Sequence, residues 1–266
     1  MGLAQFSGTD MNGLFIKTWI HKGVVESTND LARQVVVSGL GDCPVLVSAE
    51  RQTRGRGRGD HTWWSDRGSL TFTIGIDPIA HGLRTEHEPR VALATAVAVI
   101  DAIAQWIPRE SIRLRWPNDI EVESLKIAGI LPERVGTPHG VRLLIGIGIN
   151  VSTRLDDAPA EIRRMATSLA QHASRFSTAS DHERVLARVV AHFETAIGRL
   201  AEDDLGLAAR WDQLDALRDR PVRLDVGPQI LEGIGRGIDP SGALRLATDQ
   251  GIKLLYGGQV LRDNPS

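Results

Sequence analysis

The feature that most constrains the fold is a change of pattern at Arg220 and Pro221. Before it, strand-like runs alternate with helical stretches, and residues 158–217 favour two or three helices with charged exposed sides. After it, five short strand-like runs are separated by Gly, Asp and Pro, at 222–225, 229–236, 244–247, 252–256 and 259–262. A segment of roughly 45 residues is about the smallest that can carry its own core. We therefore expect one domain over 1–219 and a small β-barrel domain over 220–266, docked on the first.

The first part of the chain has the pattern of a sheet flanked by helices. The predicted strands are 14–20, 45–49, 70–76, 112–116, 126–131 and 143–149, and the predicted helices are 27–37 and 91–107. Alternation at 70–76 predicts one buried face, and the Ala, Val and Ile content of 91–107 predicts a helix that is buried on most sides. Loops are expected at 51–60 and 136–140. Pro132 is expected to end its strand or to mark an edge strand.

Composition excludes several classes of protein. With 42% apolar and 24% charged residues among 266, the chain is neither disordered nor fibrous. No apolar run approaches about 18 residues, so no membrane span is predicted. Residues 1–10 are expected to be frayed and do not resemble a secretory signal. The single cysteine, Cys43, favours a reducing, cytoplasmic location, and the net charge of −2 argues against a chain that coats nucleic acid.

The strongest local signal is a tract of alternating Arg and Gly that runs from Gln52 to Gly59. Glycine lets backbone N–H groups approach an anion closely, and arginine supplies a rigid fork for carboxylate or phosphate. A solvated loop or a contact with single-stranded nucleic acid would use the same residues. The tract is short, lies within the predicted sheet region and is followed by Trp63 and Trp64. These features favour a loop that closes over a small anionic ligand.

Lysine is scarce, since only four of the 31 basic residues are lysines. GC-rich coding would explain the scarcity, yet Lys126 heads an apolar strand, where a charged side chain is unusual. Asn118 and Asp119 follow a strand that ends at Pro117, and this segment is also compatible with a simple turn. Asn150 ends a strand with small residues at Gly146 and Gly148. The chain contains no P-loop, no zinc-ligand spacing and no nucleophile elbow.

Together these segments resemble the biotin protein ligase family. The matching segments are Ser-Thr-Asn at 27–29, the Arg/Gly tract at 52–58, Arg-Trp-Pro-Asn-Asp at 115–119, the lysine segment at 126–131 and Gly-Ile-Gly-Ile-Asn at 146–150. Segments 235–239, 242–244 and 257–260 resemble the small C-terminal barrel of that family. The resemblance covers about 15–262. It implies an α+β fold like that of class II synthetases, with a mixed, mainly antiparallel sheet packed with helices and a C-terminal SH3-like barrel.

The resemblance also implies a reaction. Members of the family use ATP to join biotin to a lysine of a biotin carboxyl carrier domain, as in acetyl-CoA carboxylase or a related carboxylase, through biotinyl-5′-AMP. Clustered cations are needed to bring a carboxylate and a triphosphate together. Donors around the α-phosphate stabilise the charge that grows in the transition state. Mg²⁺ would shield the triphosphate, and the resemblance does not place its ligands.

The family motifs carry the following assignments to this sequence. Predicted catalytic residues are Lys126, Arg56, Arg58 and Asp119, with Lys126 as the main cation and Asp119 as the group that orients or deprotonates the incoming lysine. Predicted biotin-binding residues are Ser27, Thr28, Asn29, Gln52, Gly55, Arg56, Gly57, Arg58, Lys126 and Gly129. Predicted ATP-binding residues are Arg56, Arg58, Trp63, Asn118, Lys126 and Asn150.

The sequence departs from the family pattern at two site positions and leaves alternatives open. His61 stands where an arginine is frequent, which predicts weaker retention of the adenylate unless a protonated His61 substitutes, and Arg115 stands for a frequent lysine. The nearest alternative is a lipoate–protein ligase, followed by a non-catalytic biotin- or nucleotide-binding protein and an RNA-binding protein. Only 26 residues precede Ser27, too few for the DNA-binding module that some members carry, so no DNA binding is expected. Both a monomer and a homodimer remain open.

Overall fold

A computed structural model describes residues 15–173 and 178–262. Its larger sheet has seven strands in the order β1-β2-β3-β7-β6-β5-β4. These strands are β1 (Thr18–Val25), β2 (Val45–Gln52), β3 (Ser69–Ile76), β4 (Ile112–Arg115), β5 (Asp119–Val122), β6 (Leu125–Thr137) and β7 (Gly140–Asn150). Only β1 and β2 run parallel, and every other neighbouring pair is antiparallel. The expected mixed, mainly antiparallel sheet is therefore confirmed.

Helices cover both faces of this sheet. They are α1 (Thr28–Ser38), α2 (Val91–Ile103), α3 (Ala160–Met165), α4 (Leu169–His172), α5 (Thr178–Ala201) and α6 (Leu205–Leu214). Alternation along β2 shows the two layers, since Val45 and Val47 pack with α1 while Leu46 belongs to the large core with α2 and α5. All eight residues of β3 are consequently buried, and the prediction of a single buried face was wrong. Its even-numbered apolar residues face the large core, and Thr73 and Gly75 approach α1.

Several predicted boundaries also need correction. The first strand begins at Thr18 rather than 14, and residue 14 lies outside the described residues. Helix α2 ends at Ile103 rather than 107, β2 continues through Arg51 and Gln52, and the region 158–217 contains four described helices rather than two or three. Of the two alternatives predicted for Pro132, the end of the strand was wrong, because Pro132 pairs with Ile145 of β7, and the edge position agrees with the pairing. Pairing of β6 with β5 stops at Gly129, so Pro132 has a strand neighbour on one side only. Its missing N–H falls on the other side, where no strand needs the hydrogen bond.

The C-terminal region forms a second, antiparallel sheet in the order β11-β10-β9-β8-β12. Its strands are β8 (Pro221–Asp225), β9 (Ile230–Ile238), β10 (Leu244–Thr248), β11 (Gly251–Leu255) and β12 (Gln259–Val260). The five predicted strands are thus present, and their small antiparallel sheet agrees with the expected SH3-like unit. The boundary between domains at 219 and 220 stays a prediction.

The two sheets share one core. Leu224, Leu244 and Leu246 of the second sheet are fully buried in the cluster that contains α2 and α6. Two buried indoles add hydrogen bonds: Trp116 Nε1 donates to Gly242 O at 3.0 Å, and Trp211 Nε1 donates to Asp239 O at 3.1 Å. The β9–β10 turn is therefore fastened to the larger sheet layer. None of the described helices is both long and apolar enough to cross a membrane.

Candidate active site

A cavity of about 760 Å³ opens between the larger sheet, the Arg/Gly tract and the second sheet. It gathers segments that are far apart in the sequence, from Ser27 to Arg262. The predicted residues on its lining are Ser27, Thr28, Asn29, Gln52, Arg56, Gly57, Arg58, Trp63, Asn118, Asp119, Lys126, Gly129 and Asn150. Gly55 lies behind this lining, where its carbonyl accepts a 2.9 Å hydrogen bond from Trp63 N. The family motifs therefore converge on one cavity.

One end of the cavity is a buried network of hydroxyl and amide groups. Thr28 N donates to Gln52 Oε1 at 2.7 Å, and the Thr28 hydroxyl lies 3.1 Å from the same oxygen. The Thr73 hydroxyl lies 2.6 Å from Asn29 Oδ1 and 2.9 Å from Thr28 Oγ1. Sequence reasoning missed Thr73, although a hydroxyl between the large apolar residues of a central strand was a usable signal. This end suits a compact ligand group that has both donors and acceptors.

Three glycines of β6 and β7 form the floor of the cavity. Gly129 of β6 and Gly148 of β7 are register partners, and the Trp63 indole lies against both. A Cβ on Gly148 would come within 2.5 Å of Trp63 Cε2, and one on Gly129 within 3.3 Å of Cζ3. A Cβ on Gly146 would collide with the side-chain amide of Asn29. Glycine at these strand positions therefore leaves space for the side chains of Trp63 and Asn29 to lie flat on the sheet.

Lys126 provides an ammonium at the centre of the lining. Its Nζ lies 2.7 Å from Asp119 Oδ1 on the neighbouring strand and 5.6 Å from the centroid of the Trp63 ring. Strands β5 and β6 bring the two charged residues together, because Lys126 is the register partner of Glu121, and Asp119 lies two residues from Glu121 along β5. The structure thus joins two of the predicted catalytic residues in one ion pair.

The Arg/Gly tract folds into a short hairpin. Gly57 N donates to His61 O at 2.7 Å, and Arg56 forms an antiparallel bridge with Thr62. The exposed His61 lines the cavity from the returning arm of this hairpin. Arg58 Nη1 donates to Gly258 O of the second sheet at 2.7 Å. Burial lowers the pKa of Arg58, and the Asp119 charge opposes this shift.

The guanidinium of Arg56 is held by two carboxylates. Its Nη2 lies 2.8 Å from Asp30 Oδ1, and its Nη1 and Nη2 lie 2.7 Å and 3.1 Å from the two oxygens of Glu133. Glu133 also contacts Arg33 Nη2 at 3.2 Å. Arg56 was predicted to contact the ligand, and neither Asp30 nor Glu133 was among the predicted site residues.

A buried ionic group joins the two sheets at the rim of the cavity. Glu121 is 3% exposed and contacts Arg262 by an ion pair, while Arg115 Nε lies 3.8 Å from its Oε1. Arg262 Nη1 also donates to Ser124 O at 3.0 Å. Burial raises the pKa of Glu121, and the charges of Arg262 and Arg115 oppose the shift. Sequence reasoning missed Glu121 and Arg262, because only the folded chain places them together.

The two predicted ATP-binding asparagines also hold the walls of the cavity. Asn118 pairs with Ile130 through its own carbonyl, which accepts from Ile130 N at 3.0 Å, and through its Nδ2, which donates to Ile130 O at 2.8 Å. Asn150 Nδ2 donates to Thr167 O at 3.0 Å. Their side-chain amides therefore fix the strand ends that face the ligand space. Within the described ranges, no group of three or more His, Cys, Asp or Glu side chains could hold a metal ion.

The arrangement suits a ligand with a polar head, a slim apolar body and an anionic end. The head would meet Thr28, Asn29 and Gln52, the body would lie beside the Trp63 indole, and the anion would reach Lys126. The remaining volume beside Trp63 and Asn150 leaves room for a second ligand that carries phosphates. Such a site can bring two anions into contact in a low-dielectric space.

Comparison with known proteins gives matches over nearly the whole chain. Residues 23–150 match the biotin/lipoate A/B protein ligase family, and residues 219–262 match the biotin protein ligase C-terminal domain. A biotin–[acetyl-CoA-carboxylase] ligase of Mycobacterium tuberculosis is 31% identical over 239 residues, covering 88% of this chain and 85% of its own. The bifunctional ligase/repressor BirA of Salmonella typhimurium is 30% identical over 243 residues, covering 89% of this chain and 72% of its own.

Solved structures agree with these matches. The biotin protein ligase of Aquifex aeolicus in complex with biotin and ATP superposes with a TM-score of 0.76 at 25% identity, covering 92% of this chain and 98% of that one. The family matches span both sheets and include every predicted site residue on the cavity lining. The chain is therefore a ligase, and it belongs to the biotin protein ligase family.

Proposed function

We propose that the protein uses ATP to biotinylate a lysine of a biotin carboxyl carrier domain, in acetyl-CoA carboxylase or a related carboxylase, through biotinyl-5′-AMP. The observation that carries this proposal is the cavity, which joins a buried hydroxyl and amide end to a cation cluster around Lys126. Biotin combines a polar ureido head, an apolar chain and a carboxylate, so its groups match the order of groups along the cavity. The relatives that act on biotin support the same ligand.

In the first step, a biotin carboxylate oxygen attacks the α-phosphorus of ATP, and pyrophosphate leaves with the electrons of the broken P–O bond. Ser27, Thr28, Asn29 and Gln52 would bind the head of biotin, and Gly129 would let its chain pass. Lys126 would contact the carboxylate and the α-phosphate together, which offsets their repulsion and stabilises the charge on the equatorial oxygens. Arg58 would supply further donors to the phosphate oxygens.

The adenosine part would lie beside Trp63, Asn118 and Asn150. Of these, Trp63 offers an aromatic face within the cavity. Mg²⁺ would enter with ATP, because triphosphate oxygens and water supply most of its ligands and few protein carboxylates are needed. The described residues fit this arrangement, since Asp119 is a carboxylate on the lining next to the proposed phosphate position.

In the second step, the neutral amine of the acceptor lysine attacks the acyl carbon of biotinyl-5′-AMP. An amide bond forms, the acyl–phosphate bond breaks, and AMP leaves. The proton lost from nitrogen would pass to Asp119, whose carboxylate is released from Lys126 once phosphate binds the ammonium.

Several further assignments accompany this proposal. The comparisons favour biotin over lipoate, because the named relatives are biotin ligases. The lone Cys43 supports a cytoplasmic location. The absence of DNA binding and the formation of a homodimer stay predictions.

Incubation with ATP and either biotin or lipoate tests the proposal. We expect biotin-dependent release of pyrophosphate and transfer of biotin to a carrier domain. The proposal would be contradicted if pyrophosphate were released with lipoate and not with biotin, or if neither acid caused its release.

Replacement of Lys126 by alanine tests the assignment of the main cation. We expect Lys126→Ala to abolish adenylation and to leave the folded structure intact, whereas Lys253→Ala on β11, outside the cavity, should retain activity. Normal turnover of Lys126→Ala would show that this residue is not the main cation.

A further inference from the structure

We propose that Asp30 and Glu133 are positioning residues that hold the Arg/Gly hairpin closed through Arg56. The proposal rests on the proposed function only where it concerns the adenylate. Asp30 lies in the first turn of α1, and Glu133 lies on β6 beyond the part that pairs with β5. Neither element belongs to the hairpin. Their carboxylates therefore connect a loop to the rigid sheet and helix layer beneath it.

The geometry of this connection is specific to arginine. Arg56 and Glu133 form a bidentate ion pair, with Nη1–Oε1 at 2.7 Å and Nη2–Oε2 at 3.1 Å. Asp30 Oδ1 accepts a third bond from Nη2 at 2.8 Å. A guanidinium bound in this way is fixed in both direction and plane, which a lysine ammonium could not achieve.

Burial makes Glu133 the stronger of the two anchors. The Glu133 side chain is 16% exposed, whereas those of Asp30 and Arg56 are 45% and 40% exposed. Water screens a partly buried pair less than an exposed one, so the Glu133 contact dominates. Arg33 also approaches Glu133 from α1, with Arg33 Nη2 3.2 Å from Glu133 Oε2, and so ties α1 to β6.

Other contacts hold the two ends of the hairpin and its tip. Arg54 N donates to Glu26 O at 2.9 Å, the Trp63 ring lies on the sheet, and Arg58 Nη1 donates to Gly258 O at 2.7 Å. Glycine at Gly55, Gly57 and Gly59 makes the open state of this segment rich in conformations, so opening is favoured by entropy. The Arg56 clamp opposes that opening. It therefore sets how long a reactive adenylate stays shielded from water.

This assignment gives Arg56 a different role from Lys126 and Arg58. Its guanidinium is occupied by protein carboxylates, and its backbone lies at the cavity lining. Arg56 then contributes to the reaction through the position of the loop. Asp30 and Glu133 do not touch the ligand in this proposal, and they affect the reaction only by fixing the Arg56 guanidinium.

Limited trypsin digestion without ligand tests the clamp directly, because the hairpin contains Arg54, Arg56 and Arg58. We expect Asp30→Asn and Glu133→Gln to speed cleavage in this segment about fivefold each, and the double variant more, with sites mapped by mass spectrometry. In the same variants, preformed biotinyl-5′-AMP should be released about fivefold faster, measured by rapid gel filtration.

Two control variants separate the clamp from a general loss of structure. Glu88→Gln removes an ion pair to Arg134 at 3.2 Å, and the Glu88 side chain is 17% exposed, so it matches Glu133. Arg33→Gln removes the tie between α1 and β6 and leaves the bidentate ion pair on Arg56 in place. Both variants should show the loop cleavage and the release rate of the wild type within about twofold.

Equal loop cleavage in the wild type and the double variant would overturn the proposal. Faster cleavage with an unchanged release rate would overturn the role in retention. If the wild type forms no adenylate, the proposed function fails, and the digestion experiment still decides whether the clamp exists. Thermal unfolding of each variant confirms that the protein digested is folded.

Discussion

At the scale of single residues, the glycines of β6 and β7 determine what the cavity can hold. The Trp63 indole rests on Gly129 and Gly148, and Asn29 occupies the space that a side chain at Gly146 would fill. One added methyl group at these positions would meet a ring or an amide rather than solvent. Small strand residues in this chain are thus part of the binding site, although they donate no polar group.

Gly148→Ala should displace Trp63 from the floor, because the new Cβ would lie 2.5 Å from Cε2 of the ring. We expect the affinity for ATP to fall at least about tenfold, since overpacking costs about 1–3 kcal/mol. Equilibrium binding of ATP, followed by tryptophan fluorescence, measures the change. Gly136→Ala is the control, because its Cβ would have no neighbour within 4 Å. Wild-type affinity in Gly148→Ala would show that the ring position does not matter.

Thr73→Val should weaken biotin binding and leave the chemical step intact. The hydroxyl of Thr73 holds Thr28 and Asn29 in place from beneath, and it is fully buried. Its loss leaves buried polar partners without a bond, at a cost of about 1–2 kcal/mol. We therefore expect KM for biotin to rise about tenfold with kcat within about twofold. Thr73→Ser should restore KM, and an equal loss of kcat in Thr73→Val would instead indicate damage to the reacting centre.

At the scale of secondary-structure elements, the segment between α6 and β8 contains a buried carboxyl group with one oxygen that is unpaired within the described ranges. Asp215 is 7% exposed, its Oδ1 accepts from Leu217 N at 2.9 Å, and no described residue donates to its Oδ2. Burial raises the pKa of Asp215 to about 6, although the hydrogen bond from Leu217 and the charge of Arg218 oppose the shift. Between the unfolded pKa of 3.8 and about 6, the folded protein binds more protons than the unfolded chain.

Ionisation of Asp215 therefore lowers the free energy of unfolding as the pH rises from about 4 to about 6. Asp215→Asn keeps the oxygen that accepts from Leu217 N and cannot ionise. We expect its free energy of unfolding, relative to the wild type, to increase by about 2 kcal/mol between about pH 4 and about pH 7. Urea unfolding at the two pH values measures this difference. A relative stability that does not change with pH would show that Asp215 ionises normally in the folded protein.

The order of elements was largely predictable, and the reasons for the errors are physical. Local alternation and turn residues located the sheet strands and the five C-terminal strands, since those signals act over a few residues. The extent of β6 was mispredicted, because the tolerance of Pro132 depends on which side of the strand has a neighbour. Burial of both faces of β3 was missed, because small Thr and Gly residues on its second face do not look apolar in sequence.

The candidate site was predictable to a similar depth. Residues in contiguous motifs, such as Gln52 and Lys126, were found because a short segment carries their chemistry. Asp30, Glu133, Glu121 and Arg262 were missed, because each acquires a role only through a partner that is distant in sequence. Thr73 is intermediate between these two groups. Its position in a predicted buried strand could be read from the sequence, but its contacts with Thr28 and Asn29 could not.

At the scale of the whole molecule, two buried tryptophans couple the sheets. Trp116 and Trp211 donate to carbonyls at the two ends of one turn between β9 and β10. The core passes without a gap from α2 and α6 to β8 and β10. The second sheet is thus held in a fixed position relative to the cavity, to which it contributes Gly258 and Arg262.

Trp116→Phe and Trp211→Phe together should loosen this coupling. Each substitution removes a hydrogen bond worth about 1 kcal/mol and leaves unfilled volume in the core. We expect amide hydrogen exchange in residues 239–243 to accelerate about tenfold or more, measured by mass spectrometry. Trp106→Phe, in a tryptophan that packs at the edge of the larger core, is the control and should not affect exchange in this turn. Unchanged exchange in the double variant would mean that other contacts hold the turn.

The pairing of the cavity cations has an electrical consequence. Lys126 faces Asp119, Arg56 faces Asp30 and Glu133, and Glu121 lies between Arg115 and Arg262. At Lys126 and Arg56, an incoming anion therefore competes with a carboxylate that already contacts the cation, whereas Arg58 donates to a backbone carbonyl and has no such competitor among its hydrogen bonds to described residues. A triphosphate brings more acceptor oxygens than the carboxylate that it displaces, whereas a lone carboxylate does not. We therefore expect the cation contacts of the cavity to favour nucleotides over small acids that carry a single carboxylate.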